Sequence, residues 1–186
     1  REMHVTSAAG TDLRVGLEGA FIAGSWGATS GPGTISHWPG GLCVAFPADG
    51  MVDGTLVLAP GDVNLTFKTY LREPIVLRLE AGMVREIEGD NVDADLMRSY
   101  LAAFDEEDAY AVSHVGWGMN PGARWDFLEL YEKGDINGTE ARAFAGNFLF
   151  STGANENAGR YTAAHFDLPM RGCTVALDGR PVVERG

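Results

Sequence analysis

A strand-rich α+β domain is the fold class this sequence predicts, and three features carry that expectation. Glycine, 25 of the 186 residues, recurs as punctuation along the whole length. Between the glycines lie short apolar runs rich in β-branched residues, the pattern of strands bounded by turns. One segment alone shows sustained helical periodicity, and the strand–helix alternation of a parallel sheet is missing.

Taken in order, Leu13–Leu17, Ala20–Ala23, Leu42–Phe46, Thr55–Ala59 and Pro74–Leu79 read as strands. Ile75 to Glu80 ends in apolar–polar alternation, as a half-exposed strand does. Ala81-Gly82 followed by Met83 to Glu88 predicts a hairpin. One main helix is expected near residues 91–104, capped by Asp90 or Asn91, with Val92, Leu96, Tyr100 and Phe104 recurring every fourth position,. Asp93 and Asp95 in its first turn favour the helix dipole. The run Asp105 to Asp108 ends it and reads as a solvated turn. Tyr110–Val115 then predicts a strand and Gly116–Gly122 a loop. Glu129–Tyr131 and Gly138–Arg142 are weak helical or loop segments. Phe148–Phe150, Tyr161–Asp167, Cys173–Leu177 and Pro181–Glu184 are further strands, the last two joined at an Asp178-Gly179 turn,.

Charge and motifs narrow the function. Twenty-six acids against 14 bases give a formal charge of −12, and only Lys68 and Lys133 are lysines. Such a surface repels phosphate backbones and anionic lipid, so neither nucleic acid nor membrane is an expected partner. No apolar run approaches the ~18 residues of a membrane-spanning helix. Cys43 and Cys173 form no C-x-x-C pair and sit in apolar runs, which suits reduced thiols and a cytoplasmic location,. Gly31-Pro32-Gly33 lacks the Lys-Ser/Thr of a phosphate loop, and no G-x-S-x-G elbow exists.

Four histidines remain: His4, His37, His114 and His165. In His165-Phe166-Asp167 strand alternation sets an imidazole and a carboxylate on one face. His114, at the end of an expected strand and before a Gly-rich loop, is the candidate third ligand. Two histidines and one carboxylate leave open coordination positions. This is the ligand set of non-haem Fe(II) oxygenases, although zinc hydrolases also use it. His37, in Ser36-His37-Trp38, can accept a proton from a phenol-like substrate. Asn120, Arg160 and Tyr161 are candidate substrate contacts because they neighbour these ligands in sequence.

The string His114-Val115-Gly116-Trp117-Gly118-Met119-Asn120-Pro121-Gly122-Ala123 carries a resemblance. With Ala164-His165-Phe166-Asp167-Leu168 and Thr174 to Gly179, it is similar to the C-terminal domain of the aminopeptidase T superfamily. Those peptidases build a two-metal site, and this sequence departs from it. Leu42 and His114 stand where they carry glutamates, and Leu149 stands about where they carry a histidine. The altered pattern resembles the 2,5-dihydroxypyridine 5,6-dioxygenase branch, as do Gly146-Asn147-Phe148-Leu149, Asn120 to Trp125 and Arg171-Gly172-Cys173-Thr174-Val175. The resemblance implies Fe(II) held by His114, His165 and Asp167, with His37 as the base. The implied partners are a small aromatic substrate and O2, in a homo-oligomeric enzyme of nicotinate or nicotine breakdown. It also implies an N-terminal α/β domain ahead of Arg1. Residues 1–186 are thus expected to be a single metal-binding C-terminal domain, inactive or nearly so alone. A metallo-aminopeptidase and a metal-free domain of the same fold are the rival expectations.

Overall fold

The computed structural model describes residues 1–186. Its strands are β1 (Glu2–Ser7), β2 (Asp12–Gly16), β3 (Phe21–Ser25), β4 (Leu42–Phe46), β5 (Val52–Leu58), β6 (Val63–Asn64) and β7 (Thr69–Tyr70). They continue with β8 (Ile75–Glu80), β9 (Met83–Glu88), β10 (Val112–Gly118), β11 (Phe148–Asn155), β12 (Arg160–Met170), β13 (Cys173–Leu177) and β14 (Arg180–Val183). One full helix, α1 (Val92–Ala102), and two short ones, α2 (Phe127–Leu130) and α3 (Thr139–Ala143), complete the chain. A seven-stranded sheet runs β14-β13-β1-β2-β5-β8-β9, and a five-stranded sheet runs β12-β11-β10-β4-β3. All pairings are antiparallel. The strand-rich α+β expectation holds.

Alternation builds the layers. Met3 and Val5, Leu13 and Val15, and Ile75, Leu77 and Leu79 turn inward, while Arg14, Arg78 and Glu80 face water. They meet Val115, Phe148, Phe150, Phe166 and Leu168 of the smaller sheet in one core of 28 buried residues, as stacked sheets do. Two-residue turns at Ala81-Gly82 and Asp178-Gly179 both have positive φ at both positions. That twist matches the flanking strands, as the dipeptides predict.

The structure moves several expected boundaries. Tyr110 belongs to a single tight helical turn, Glu107–Tyr110, and the strand runs on through Gly116-Trp117-Gly118. Those two glycines serve close packing. A Cβ on Gly116 would lie 2.1 Å from Cys43 O, and one on Gly118 would lie 2.2 Å from Phe144 O. Helix α1 is capped by Asn91, whose Oδ1 accepts from Ala94 N at 2.9 Å. Its buried face is Ala94, Met97 and Leu101; Val92 and Leu96 are exposed. At about 100° per residue, a strict spacing of four drifts about 40° per step, so Val92 and Phe104 cannot share a face. Tyr100 and Phe104 do reach the core edge. Both cysteines are unpaired, and no helix is long and apolar enough to cross a membrane.

Candidate metal centre

On β12, His165 and Asp167 point to one face while Phe166 between them enters the core,. The register partner of Asp167 on β11 is Ser151. On the far side of β11 the register of β10 shifts between Val112 and Val115. Ser113 and His114 therefore stand together opposite Ser151, a β-bulge that re-aims a side chain. The result is convergence across three strands. His114 Nε2 lies 3.5 Å and His165 Nε2 3.3 Å from Asp167 Oδ1. All three ligand atoms fall within 4.8 Å of one another. The two imidazoles stack at 5.5 Å, and Phe46 of β4 packs against His114 at 5.2 Å.

The protons are placed by neighbours. Ser113 Oγ donates to Ala154 O, which commits its hydrogen. Its 3.2 Å contact with His114 Nδ1 must then be donated by the ring, which leaves the Nε2 lone pair free,. Burial pushes the His114 pKa down to about 4; the charges of His165 and Arg142 add to this, against the pull of Asp167. His114 is thus neutral at pH 7, with a nitrogen able to ligate a metal.

Asp167 is 2% exposed. Burial alone would raise its carboxyl, but the adjoining His165 ring, the Arg142 guanidinium and His114 outweigh it and hold the group well below the usual carboxylate range. Its Oδ2 accepts two hydrogen bonds from Arg142, from Nε at 2.8 Å and from Nη2. Its Oδ1 receives none. An ionised buried oxygen without a donor, facing an imidazole lone pair, costs free energy that a cation between them removes. The residues present therefore fit one metal ion.

A cavity of about 350 Å³ opens beside this cluster, lined by Ser25, His37, Leu42, Asn137, Thr139, Arg142 and His165. Gly118 lets α3 lie flush on β10. Asn147 locks it there, donating from Nδ2 to Ala141 O at 2.6 Å and accepting from Gly118 N at 2.5 Å. That seating carries Arg142 to Asp167.

A family model for 2,5-dihydroxypyridine 5,6-dioxygenase matches residues 1–186. The chain belongs to the 2,5-dihydroxypyridine 5,6-dioxygenase family. It is 40% identical over 188 residues to the 2,5-dihydroxypyridine 5,6-dioxygenase of Pseudomonas putida KT2440, covering 100% of this chain and 53% of that protein. The solved structure of the 2,5-dihydroxypyridine dioxygenase from that strain superposes with a TM-score of 0.94 at 40% identity, over 100% of this chain and 54% of that one. The wild-type AmpT of Thermus thermophilus shares the fold, with a TM-score of 0.69 at 20% identity, over 100% of this chain and 49% of its own. The chain spans about half the length of the relatives it matches.

Within this dioxygenase-family fold, His114, His165 and Asp167 come to one place, and His37 lines the cavity that His165 also lines. The sequence-adjacent candidates do not. Arg160 is buried, and its guanidinium is spent on Gly153 O at 3.2 Å, Val112 O at 2.5 Å and Asp49. Tyr161 is 75% exposed, and neither residue lines the cavity. They lie five and four residues from His165 on one strand, and at ~3.3 Å per residue that is ~13 Å or more away. Asn120 braces the His37 loop, donating to Gly40 O and accepting from Gly122 N, both at 2.8 Å. His4 pairs with Asp12 at the surface. The residues that sequence reasoning missed are Ser113, Asn137, Thr139 and Arg142. Arg142 carries no spacing signal, being 25 residues from Asp167 on a five-residue helix.

Proposed function

We propose that the complete protein is an Fe(II)-dependent, extradiol-type ring-cleaving dioxygenase that opens 2,5-dihydroxypyridine, or a close analogue, to N-formylmaleamate. The observation that carries this reading is the orphaned Oδ1 of Asp167 between two imidazole nitrogens, in a chain of this family. Two imidazoles and one carboxylate oxygen are the donor set of non-haem Fe(II) oxygenases.

When bound there, a ferrous ion supplies one-electron chemistry towards O2 and a cationic anchor for a ring oxygen. The chain's own residues do the rest. His114, His165 and Asp167 hold it. His37, which lines the same cavity as His165, takes the proton of a ring hydroxyl, so that the substrate enters the reaction as an anion,. Asn137, Thr139 and Arg142 offer polar partners, and Leu42 an apolar wall. Both oxygen atoms of O2 are retained in the product, so no external reductant is consumed. A two-metal peptidase would need ligands at Leu42 and at the fully buried Leu149, and leucine supplies none. The unpaired cysteines are in keeping with the cytoplasm, and exposed Phe21 and Ile22 on edge strand β3 are in keeping with a homo-oligomer.

The test is anaerobic Fe(II) reconstitution of the complete protein, followed by O2 uptake with 2,5-dihydroxypyridine. One iron per chain and uptake matched to substrate consumed are expected. His165→Ala and Asp167→Ala should each lose both iron and turnover. No uptake with this or related dihydroxypyridines overturns the substrate, and full iron occupancy in either variant overturns the ligand set.

A further inference from the structure

The side chain of Arg142 is three-quarters buried and makes three hydrogen bonds. Nε and Nη2 both donate to a single oxygen, Oδ2 of Asp167. Nη1 donates to Asn137 O at 3.2 Å, which braces the fork from its other end. The two oxygens of Asp167 are therefore unlike. One is saturated by two charge-assisted bonds, and the other has no donor and faces His114 and His165.

A carboxylate can ligate a metal through one oxygen or chelate it through both. Chelation takes one more coordination position, and a ring-cleaving site needs its open positions for the ring oxygens and O2. We infer that Arg142 is a positioning residue that restricts Asp167 to ligation through Oδ1 and so keeps a coordination position open. This rests on the metal-site reading above. For Oδ2 to swing to the metal, both bonds from the guanidinium must break inside a buried site. The planar fork cannot follow by a small rotation, because Asn137 O holds its third nitrogen. Lysine, a single point donor, cannot reproduce the arrangement. The seating of α3 by Gly118 and Asn147 makes the restraint a property of the fold.

The complete protein, wild type and with Arg142→Met or Arg142→Lys, is loaded with Co(II) and compared by infrared difference spectroscopy, metal-loaded minus metal-free. One-oxygen ligation separates the antisymmetric and symmetric carboxylate stretches widely, and chelation narrows the separation. Wild type should give the wide separation and R142M the narrow one, with R142K between them. Azide, competing for open positions, should bind R142M about tenfold more weakly, the scale on which partners of metal ligands act. A wild-type separation and azide affinity in a folded R142M holding one Co(II) per chain overturns the inference. If circular dichroism shows R142M unfolded, R142K decides by the same comparison. Failure of the wild type to take up one Co(II) per chain is a different result; it removes the metal-site reading, and this inference with it.

Discussion

His114 Nδ1 sits 3.2 Å from a serine hydroxyl whose own hydrogen is committed to Ala154 O. The imidazole must donate, and the opposite nitrogen keeps a free lone pair for the proposed metal. Ser113→Ala leaves the buried Nδ1–H unpaired and the tautomer free. Metal affinity of the complete protein should then fall by about 10- to 100-fold, measured by chelator competition, with Ser113→Thr restoring it. An unchanged affinity in Ser113→Ala would refute the tautomer argument. The H-x-D pair was legible because a period of two is a local property of strands. Ser113 and Arg142 were not, because their roles depend on a bulge and on the docking of a short helix.

Among the elements, β10 shows how far composition misleads. Its Gly116 and Gly118 suggest a loop, yet Gly116 lies in a ladder between β4 and β11, and Gly118 pairs with Leu42 of β4. The reason is close approach of the neighbouring backbone, which only the third dimension reveals. Gly116→Ala should cost about 3 kcal/mol, since a Cβ there would drive into Cys43 O,. Gly122→Ala should stay within about 0.5 kcal/mol, its nearest neighbour being Asn120 Oδ1 at 3.3 Å. Urea unfolding of the two variants measures the contrast, and equal losses would defeat it. Helix α1 teaches the same lesson. Its existence and its Asn91 cap follow from local chemistry, but which stripe is buried was set by the sheets beneath it.

For the molecule as a whole, Asp62 ties the two sheets. It follows β5 of the larger sheet, and its Oδ2 accepts from Ala59 N at 2.7 Å. Its Oδ1 accepts from Arg171 N at 2.8 Å, in the turn where the chain passes from β12 to β13. Burial pushes its pKa up to about 6, against those two N–H groups and the Arg171 charge. The unfolded value is ~3.9. The folded state therefore binds the proton more tightly, and this contribution to stability falls as pH rises from about 4 through 6. Asp62→Asn lacks it. The stability of wild type minus that of D62N should shrink between pH 4 and pH 7 in urea titrations. A constant or widening difference would contradict the burial argument.

The sequence by itself determined the fold class, most strands, both two-residue turns, the start of α1 at Asp90 or Asn91, and the three residues that converge. Each depends on a local period, a turn preference or a short string. Only the tertiary structure decided that His114 crosses a bulge to meet β12, that Arg142 caps one oxygen of Asp167, and that Arg160 and Tyr161 stay away. Those outcomes depend on register between strands and on how closely backbones approach. Neither is encoded in any single segment, because each is a property of two segments packed together.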